Sequence, residues 1–406
     1  MHRSSSLDAT ESRPRFARYP TATGPSIGEA LAGRDNALGI LRLLLAAAVV
    51  LSHSYPIGGW GQDPFAARFE QQENLGGVAV LGFFAISGYL IAKSGARTDV
   101  VQFLWHRVLR IMPAYWLVLL VAAFVIGPAW WLAKGRDLAA YLTAEPGGPV
   151  AYLLANWDLS IRQYGILDVF GDNPYGAVAG SVMNGSLWTL RYEFFAYLVI
   201  AGLVLFGVLV SARWIVPVVT GVLFALQMAY AIAGDAALGL LPFFTDRYFI
   251  QLTLIFMIGS CIAVYSRHVP LHDGLAALAA VVVVVSAFRG GLHVVGLPAF
   301  AYVLLYLAAR LPRRLQWIGR DNDYSYGLYL YGWPMQQVLA ALGVHLWGYV
   351  PFTLLALVAA FAMAWLSWHG VERWAMRLKD RGPGRGVAYW VERVRAARRT
   401  RMPADA

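Results

Sequence analysis

Arg42 and His53 stand eleven residues apart in one apolar stretch, GILRLLLAAAVVLSHSYPI (39–57). On an α-helix, eleven steps of about 100° return to within about 20° of the starting direction and rise about 16 Å, so both side chains leave from one face. Ionisable groups inside a membrane helix are costly and mark a pathway or a site. Singly, Arg42 reads as a snorkelling residue near a helix end and His53 as a hydrogen-bonded packing residue. Together on one face they read as chemistry: an imidazole that can take a proton or carry an acyl group, with a cation below it. Glu193, in SLWTLRYEFFAY (186–197), lies one turn into a later apolar stretch. At similar depth to His53, its carboxylate permits a pair that fixes the imidazole tautomer. Arg107 and Arg110 share a helix face at i, i+3. They read either as topology determinants or as a bidentate grip on phosphate.

The elements that must position these groups are membrane helices. Hydrophobic residues are 59% of the 406-residue chain and charged residues 14%, against about 25% charged in soluble proteins. Ten stretches are long enough to span a bilayer: 38–57, 75–94, 114–133, 190–210, 214–233, 248–266, 272–288, 294–310, 325–344 and 351–370. The fold expected is therefore an all-α polytopic membrane protein. The first stretch follows a polar segment and reads as a retained helix rather than a signal peptide. With the N-terminus inside, 26 of the 33 Lys and Arg residues fall on cytoplasmic segments and 7 outside, which predicts both termini cytoplasmic. The net charge of +10 thus marks orientation and not nucleic-acid binding.

Three regions follow from this. Residues 1–35 read as a disordered cytoplasmic tail, 36–372 as the membrane domain and 373–406 as a basic cytoplasmic tail. In the last, AYWVERVRAARRTR reads as a helix on the anionic inner surface of the bilayer. The one long loop, 134–189, faces outside, and segments 137–143 and 150–160 predict short helices in it. Its aromatics, Trp157 among them, together with Trp188 just inside it, are candidates to face an acceptor molecule. The single Cys261 excludes an intramolecular disulfide. No Walker loop, zinc-ligand spacing or Gly-x-Ser-x-Gly elbow occurs, so no metal is expected. Ser87 and Gly88 read as close-packing residues between helices, the aromatics of 324–333 as a packed helix. His106, His268, His272, His293, His345 and His369 carry no assigned chemistry.

Several separated motifs, in order, resemble the acyltransferase-3 family of integral-membrane bacterial O-acetylases of polysaccharide and lipopolysaccharide. They are Arg42-x10-His53, the FFAISGYLI string (83–91), the run holding Arg107, Arg110, Pro113, Tyr115 and Trp116, then SLWTLRYEFFAY, SYGLYLYGWP (325–334) and Val371-Glu372-Arg373. The resemblance runs from about residue 36 to 374. Two positions depart from it: Leu81 stands where many members have Asp, and Gly332 where many have His. The resemblance implies transfer of an acyl group, acetyl first, from cytoplasmic acetyl-CoA or another acyl-CoA to a glycan or glycolipid hydroxyl, in the bacterial inner membrane. The acyl-CoA is a co-substrate and no bound cofactor is implied. On that reading His53 is general base or transient acyl carrier, Glu193 its partner, and Arg42, Arg107 and Arg110 hold the donor. The competing class is a transporter of glycan or lipid, which midplane ionisable residues also fit. The oligomeric state is not readable.

Overall fold

The computed structural model describes residues 25–240 and 246–399. Among them all regular structure is helical. A helix stands at each of the ten apolar stretches: α1 Leu38–Ile57, α2 Leu75–Gly95, α3 Val100–Val121, α4 Thr189–Leu205, α5 Ile215–Ala233, α6 Arg247–Val264, α7 Asp273–Arg289, α8 Leu297–Arg310, α9 Ser325–Ala341 and α10 Tyr349–Ser367. Seven of these, with their helical continuations, are long and apolar enough to cross a membrane: α1, α2, α3, α5, α6, α8 and α10. The remaining three, α4, α7 and α9, have 17 residues each.

Side-chain caps start several of these helices. The Asn74 side chain accepts from Gly77 N at 2.7 Å, Asp99 from Val101 N and Gln102 N at 3.0 Å, and Asp246 from Phe249 N at 3.0 Å. Each removes an orphan donor at a helix start. α2 and α6 form the centre, each about 67% enclosed by protein over its apolar length, whereas α5 is 17% enclosed, with Val218 and Val222 exposed. Glycine sets the closeness of the central pair. A Cβ on Gly88 would stand 1.9 Å from Phe256 O, and one on Gly259 2.2 Å from Ala85 O. The expectation that Gly88 serves helix packing is met. α9 packs between α1 and α10 with its aromatics buried.

Two expected boundaries change. The third helix begins at residue 100, not 114, and runs on through one π turn, Ala122–Ile126, to Ala133, 34 residues in all. At 1.5 Å per residue this is about 50 Å, against about 30 Å of hydrocarbon. Arg107 and Arg110 therefore lie within a helix rather than ahead of one. Their neighbours Gln102, Trp105 and His106 bond to the carbonyls of Gly384, Leu378 and Lys379 at 2.8, 3.0 and 3.2 Å, so the C-terminal segment wraps the start of α3. The π turn sits just before Pro128, whose missing N–H and ring break the normal ladder.

The N-terminal tail is the second change. Residues 1–24 of it lie outside the described residues, but 26–31 are packed. Ser26 and Glu29 form a reciprocal capping box at 3.2 and 2.9 Å, opening a short helix, Ile27–Ala30. Ile27 N and Gly28 N bond Val269 O and Ser266 O at 2.9 and 2.8 Å, with Ile27 and Leu31 buried. Hydrophobic anchors spaced four apart outweigh the polar composition of the segment. At the other end, Val387–Arg399 is helical, as its pattern predicts.

The long loop 134–189 carries the expected short helices, Leu138–Leu142 and Pro149–Asn156. Buried hydrogen bonds fasten it: Tyr141 Oη to Ala123 O at 2.8 Å and Tyr115 Oη to Asn156 O at 2.5 Å. Its last part, 182–187, is non-helical and buried against α9. Asn184 Nδ2 donates to Leu330 O at 2.8 Å, Tyr329 Oη to Ser186 O at 2.7 Å and Gln337 Nε2 to Val182 O at 3.1 Å. Non-helical backbone is tolerated at membrane depth only where protein satisfies it in this way.

Candidate active site

Four chambers, each sharing wall residues with the next, run through the bundle. The inner one, about 120 Å³, is lined by Arg107, Arg110, Glu193, His106 and Lys379 among others. A narrow one of about 40 Å³ follows, between Arg42, Glu193, Tyr326 and Tyr329. Next comes a chamber of about 130 Å³ walled by His53, Glu73, Asn74, Ser186, Trp188 and Tyr248. Last is an outer vestibule of about 310 Å³, where Gln62, Asp63, Gln72 and Arg247 join His53. Arg42 thus faces the inner two chambers and His53 the outer two, on the one face of α1 that their spacing dictates.

His53 stands edge-on to Trp333, with ring centroids 4.8 Å apart, and Trp333 in turn meets Tyr175 at 5.0 Å. His53 Nδ1 is buried and has no hydrogen-bond partner among the described residues. Ser186 Oγ, in the same chamber, is likewise buried without a partner. Such groups cost about 1–3 kcal/mol each when left unmade, so the chamber is chemically unfinished in the protein alone. The connection 58–74 between α1 and α2 is held close by Asp63, which accepts from Ser52 Oγ at 2.6 Å and from Leu75 N at 2.9 Å.

The expected His53–Glu193 pair does not form. Glu193 accepts hydrogen bonds from Tyr197 and, at 3.4 Å, from Ser87 Oγ, and it lines the inner chambers beside Arg42. The reason is the buried segment 182–187: by bonding to the middle of α9 it carries the start of α4 inward, so Glu193 reaches the level of Arg42 instead of His53. Ser87, read only as a packing residue, is part of this inner wall.

The three arginines divide. Arg42 and Arg110 both form ion pairs with Asp323, and Arg110 also faces Glu372 at 3.7 Å. Asp323 further accepts from Ser325 Oγ at 2.5 Å. Burial alone would push the Asp323 carboxyl up; the Arg42 and Arg110 guanidiniums overcome this and hold it below the usual carboxylate range. A π turn at Trp368–Glu372 brings Glu372 into this cluster. Arg42 and Arg110 therefore clamp α1, α3, α9 and the end of α10 together, and are not simply open donor ligands. Arg107 makes no close ion pair among the described residues, although the Glu193 carboxylate acts on it from the same chamber: it lies over the rings of Phe103 and Tyr197 at 5.7 and 5.9 Å, and its buried Nε is unpartnered.

Of the two acceptor candidates, Trp188 lines the chamber of His53 and meets Tyr248 at 4.7 Å. Trp157 is 59% exposed, lines none of these four chambers, and gives its carbonyl to Trp116 Nε1 at 2.9 Å. The residues missed in the sequence are Glu73, Asn74, Ser186, Tyr248 and Asp323. The two departures have packing explanations. Leu81 is fully buried in the core, and a Cβ on Gly332 would stand 2.8 Å from Val50 Cγ2 on α1, so a bulky side chain does not fit there unless that wall moves. The described residues hold no cluster of three or more His, Cys, Asp or Glu able to bind a metal.

A family model described as an acyltransferase domain, that of the acyltransferase-3 family, matches residues 35–369. An O-acetyl transferase of Shigella phage Sf6 is 27% identical over 348 residues, 84% of this chain and 96% of the relative. Nodulation protein 10 of Rhizobium leguminosarum bv. viciae is 29% identical over 400 residues, 88% of this chain and 97% of the relative. No solved structure matches. With the family match covering most of its length, this chain belongs to the acyltransferase-3 family and is a membrane acyltransferase.

Proposed function

We propose that the protein is an O-acetyltransferase that takes an acetyl group from cytoplasmic acetyl-CoA and passes it, through the bundle, to a hydroxyl of an envelope or exported glycan. The observation that carries this reading is the chamber around His53, where His53 Nδ1 and Ser186 Oγ are both buried without protein partners. It lies between a polar vestibule and an arginine-lined entrance. The reading places all ten helices across a bacterial inner membrane with both termini cytoplasmic, in line with the positive-inside distribution. The name of the phage relative supports acetyl as the group and oxygen as its acceptor.

In this mechanism the phosphates of the donor rest near Arg107, the arginine left free to bind them, and the thioester extends past Arg42 and Glu193. The sugar enters from outside, over Trp188 and Tyr248, whose rings suit its apolar faces, with Glu73 and Asn74 as hydrogen-bond partners. His53 takes the hydroxyl proton. The sugar oxygen attacks the thioester carbonyl, and the Ser186 hydroxyl donates to the oxygen that becomes negative. The C–S bond then breaks, and the departing thiolate takes the proton from the imidazolium. Net, an ester forms and a thiol is released. The stepwise route, with the acetyl group first on the imidazole, uses the same residues.

The test is transfer of labelled acetyl from acetyl-CoA by membranes holding wild type or His53→Ala. Loss of about 10²–10⁴-fold, the range for general acid–base groups, at normal protein level and with CoA binding retained, is the expected result. Wild-type transfer by His53→Ala would remove the imidazole from the mechanism. Absence of transfer by the wild type with any acyl-CoA would overturn acyl-CoA as the donor.

A further inference from the structure

Away from the passage, a cavity of about 360 Å³ opens at the end of the bundle where α2 and α6 finish. Its walls include Lys93 and Arg97 from the end of α2, Arg213 ahead of α5, Arg267 and His268 just after α6, and Gly28 of the packed N-terminal segment. It shares no lining residue with the four chambers of the passage. Small residues make the space: Gly28 lies so close to Ser266 that a Cβ there would stand 2.9 Å from it.

The charge is one-sided. None of Lys93, Arg97, Arg213 and Arg267 has a carboxylate partner among the described residues, and the cavity wall contains no acid. Lys93 Nζ instead donates to Leu31 O at 3.0 Å and Tyr89 Oη at 3.3 Å, which fixes it on the wall. Elsewhere at this end of the bundle arginines do find acids: Arg310 meets Asp273 at 2.8 Å and Arg320 meets Asp35 at 3.7 Å. Orientation in the membrane needs arginines somewhere on this side, but not four cations around one hollow. Like charges gathered without an anion repel; an entering phosphate turns that repulsion into charge-assisted hydrogen bonds. Beside Leu209 and Arg213, the neighbouring Phe206, Val210 and Trp214 are 80%, 59% and 64% exposed. An apolar strip ending in a Trp at a basic hollow matches an amphiphile with its chains in the bilayer and its head at the surface.

We propose that this cavity binds the phosphate of an amphiphilic or nucleotide ligand, separately from the acyl-transfer passage. The exposed apolar strip favours an anionic phospholipid head group; the phosphates of a CoA molecule share the chemistry. The inference does not depend on the acetyl-transfer reading, because its readout is binding.

The experiment uses the full chain in detergent, with native mass spectrometry to count retained phosphatidylglycerol against phosphatidylcholine. CoA and inorganic phosphate serve as competitors. The variants are Arg213→Gln, an exposed position that leaves the core intact, and Arg97→Gln/Arg213→Gln/Arg267→Gln. Arg313→Gln/Arg314→Gln, at the same end but outside the cavity, is the control. The expected result is preferential retention of phosphatidylglycerol by wild type and control, lowered about tenfold or more in the triple variant and less in the single. If CoA binds with that same dependence on Arg213, and Arg107→Ala does not disturb it, the nucleotide is the ligand and the phosphate site stands. Equal lipid and CoA retention by wild type and triple variant, or equal loss in the control, overturns it.

Discussion

The inner and outer halves of the passage use their ionisable groups in opposite ways. In the inner half, Arg42 and Arg110 are tied to Asp323, with Glu372 behind Arg110. In the outer half, His53 stands edge-on to Trp333 and leaves a ring nitrogen unpartnered. The first arrangement is spent on holding four helices in register; the second keeps a group available. Charge inside a membrane protein therefore does not by itself mark the chemical step. The unpartnered nitrogen of His53, in a chamber open to both ends of the passage, makes it the candidate for that step.

The strongest way to break this comparison is to exchange the consequences. His53→Gln is expected to lower acetyl transfer about 10²–10⁴-fold while the midpoint of heat inactivation in detergent stays put, since no protein hydrogen bond is lost. A fall in that midpoint matching the loss of activity would make His53 a structural residue. Asp323→Ala should do the reverse. It leaves Arg42 without a carboxylate and Arg110 with Glu372 alone, and breaking a fully buried pair costs about 3–5 kcal/mol, an upper bound for these part-buried groups; the expected readout is low protein yield and a lowered midpoint, with residual transfer per folded molecule. Unchanged stability would dissolve the clamp.

Smaller effects sharpen the division among the arginines. Arg107→Ala should raise the KM for acetyl-CoA about tenfold or more, the equivalent of one lost charge-assisted contact, with little change in stability; Arg110→Ala should lower stability first. If the two variants behave alike, the division is wrong. The smallest effect is a pH-independence. The Asp323 carboxyl is held below its ordinary value, so its contribution to stability is complete above the unfolded value near 3.9 and is lost only as pH falls below that. Heat-inactivation midpoints from pH 5 to 9 should show no step from this group, and a step that disappears in Asp323→Asn would contradict the assignment.

The helices were legible because apolar length alone reveals them, and a helix stands at every stretch so identified. The common face of Arg42 and His53 was legible because helical periodicity decides it. Asp323 was not, since nothing in the polar run Asp321-Asn322-Asp323 tells one aspartate from the other; only the approach of α1 and α3 selects it. The early start of α3 was hidden for the same reason: Arg107 and Arg110 look like the end of a span until their partners and aromatic neighbours are seen. Glu193 was misplaced because a sequence gives the length of segment 182–187 but not the carbonyls on α9 to which it bonds. Gly332 and Leu81 looked like missing catalytic groups and are packing residues.

That buried segment also sets an order of events during synthesis. Asn184 finds its partner at Leu330, 146 residues further along the chain. At about 5–20 residues per second, the ribosome takes roughly 7–30 s to make that stretch. Until α9 emerges and inserts, the polar groups of 182–187 lack the carbonyls and side chains that satisfy them, and the floor of the His53 chamber does not exist. The nascent protein thus passes through a period in which most of its helices are made but the chamber around His53 is not. A chain that stops short of residue 325 is left without these bonds.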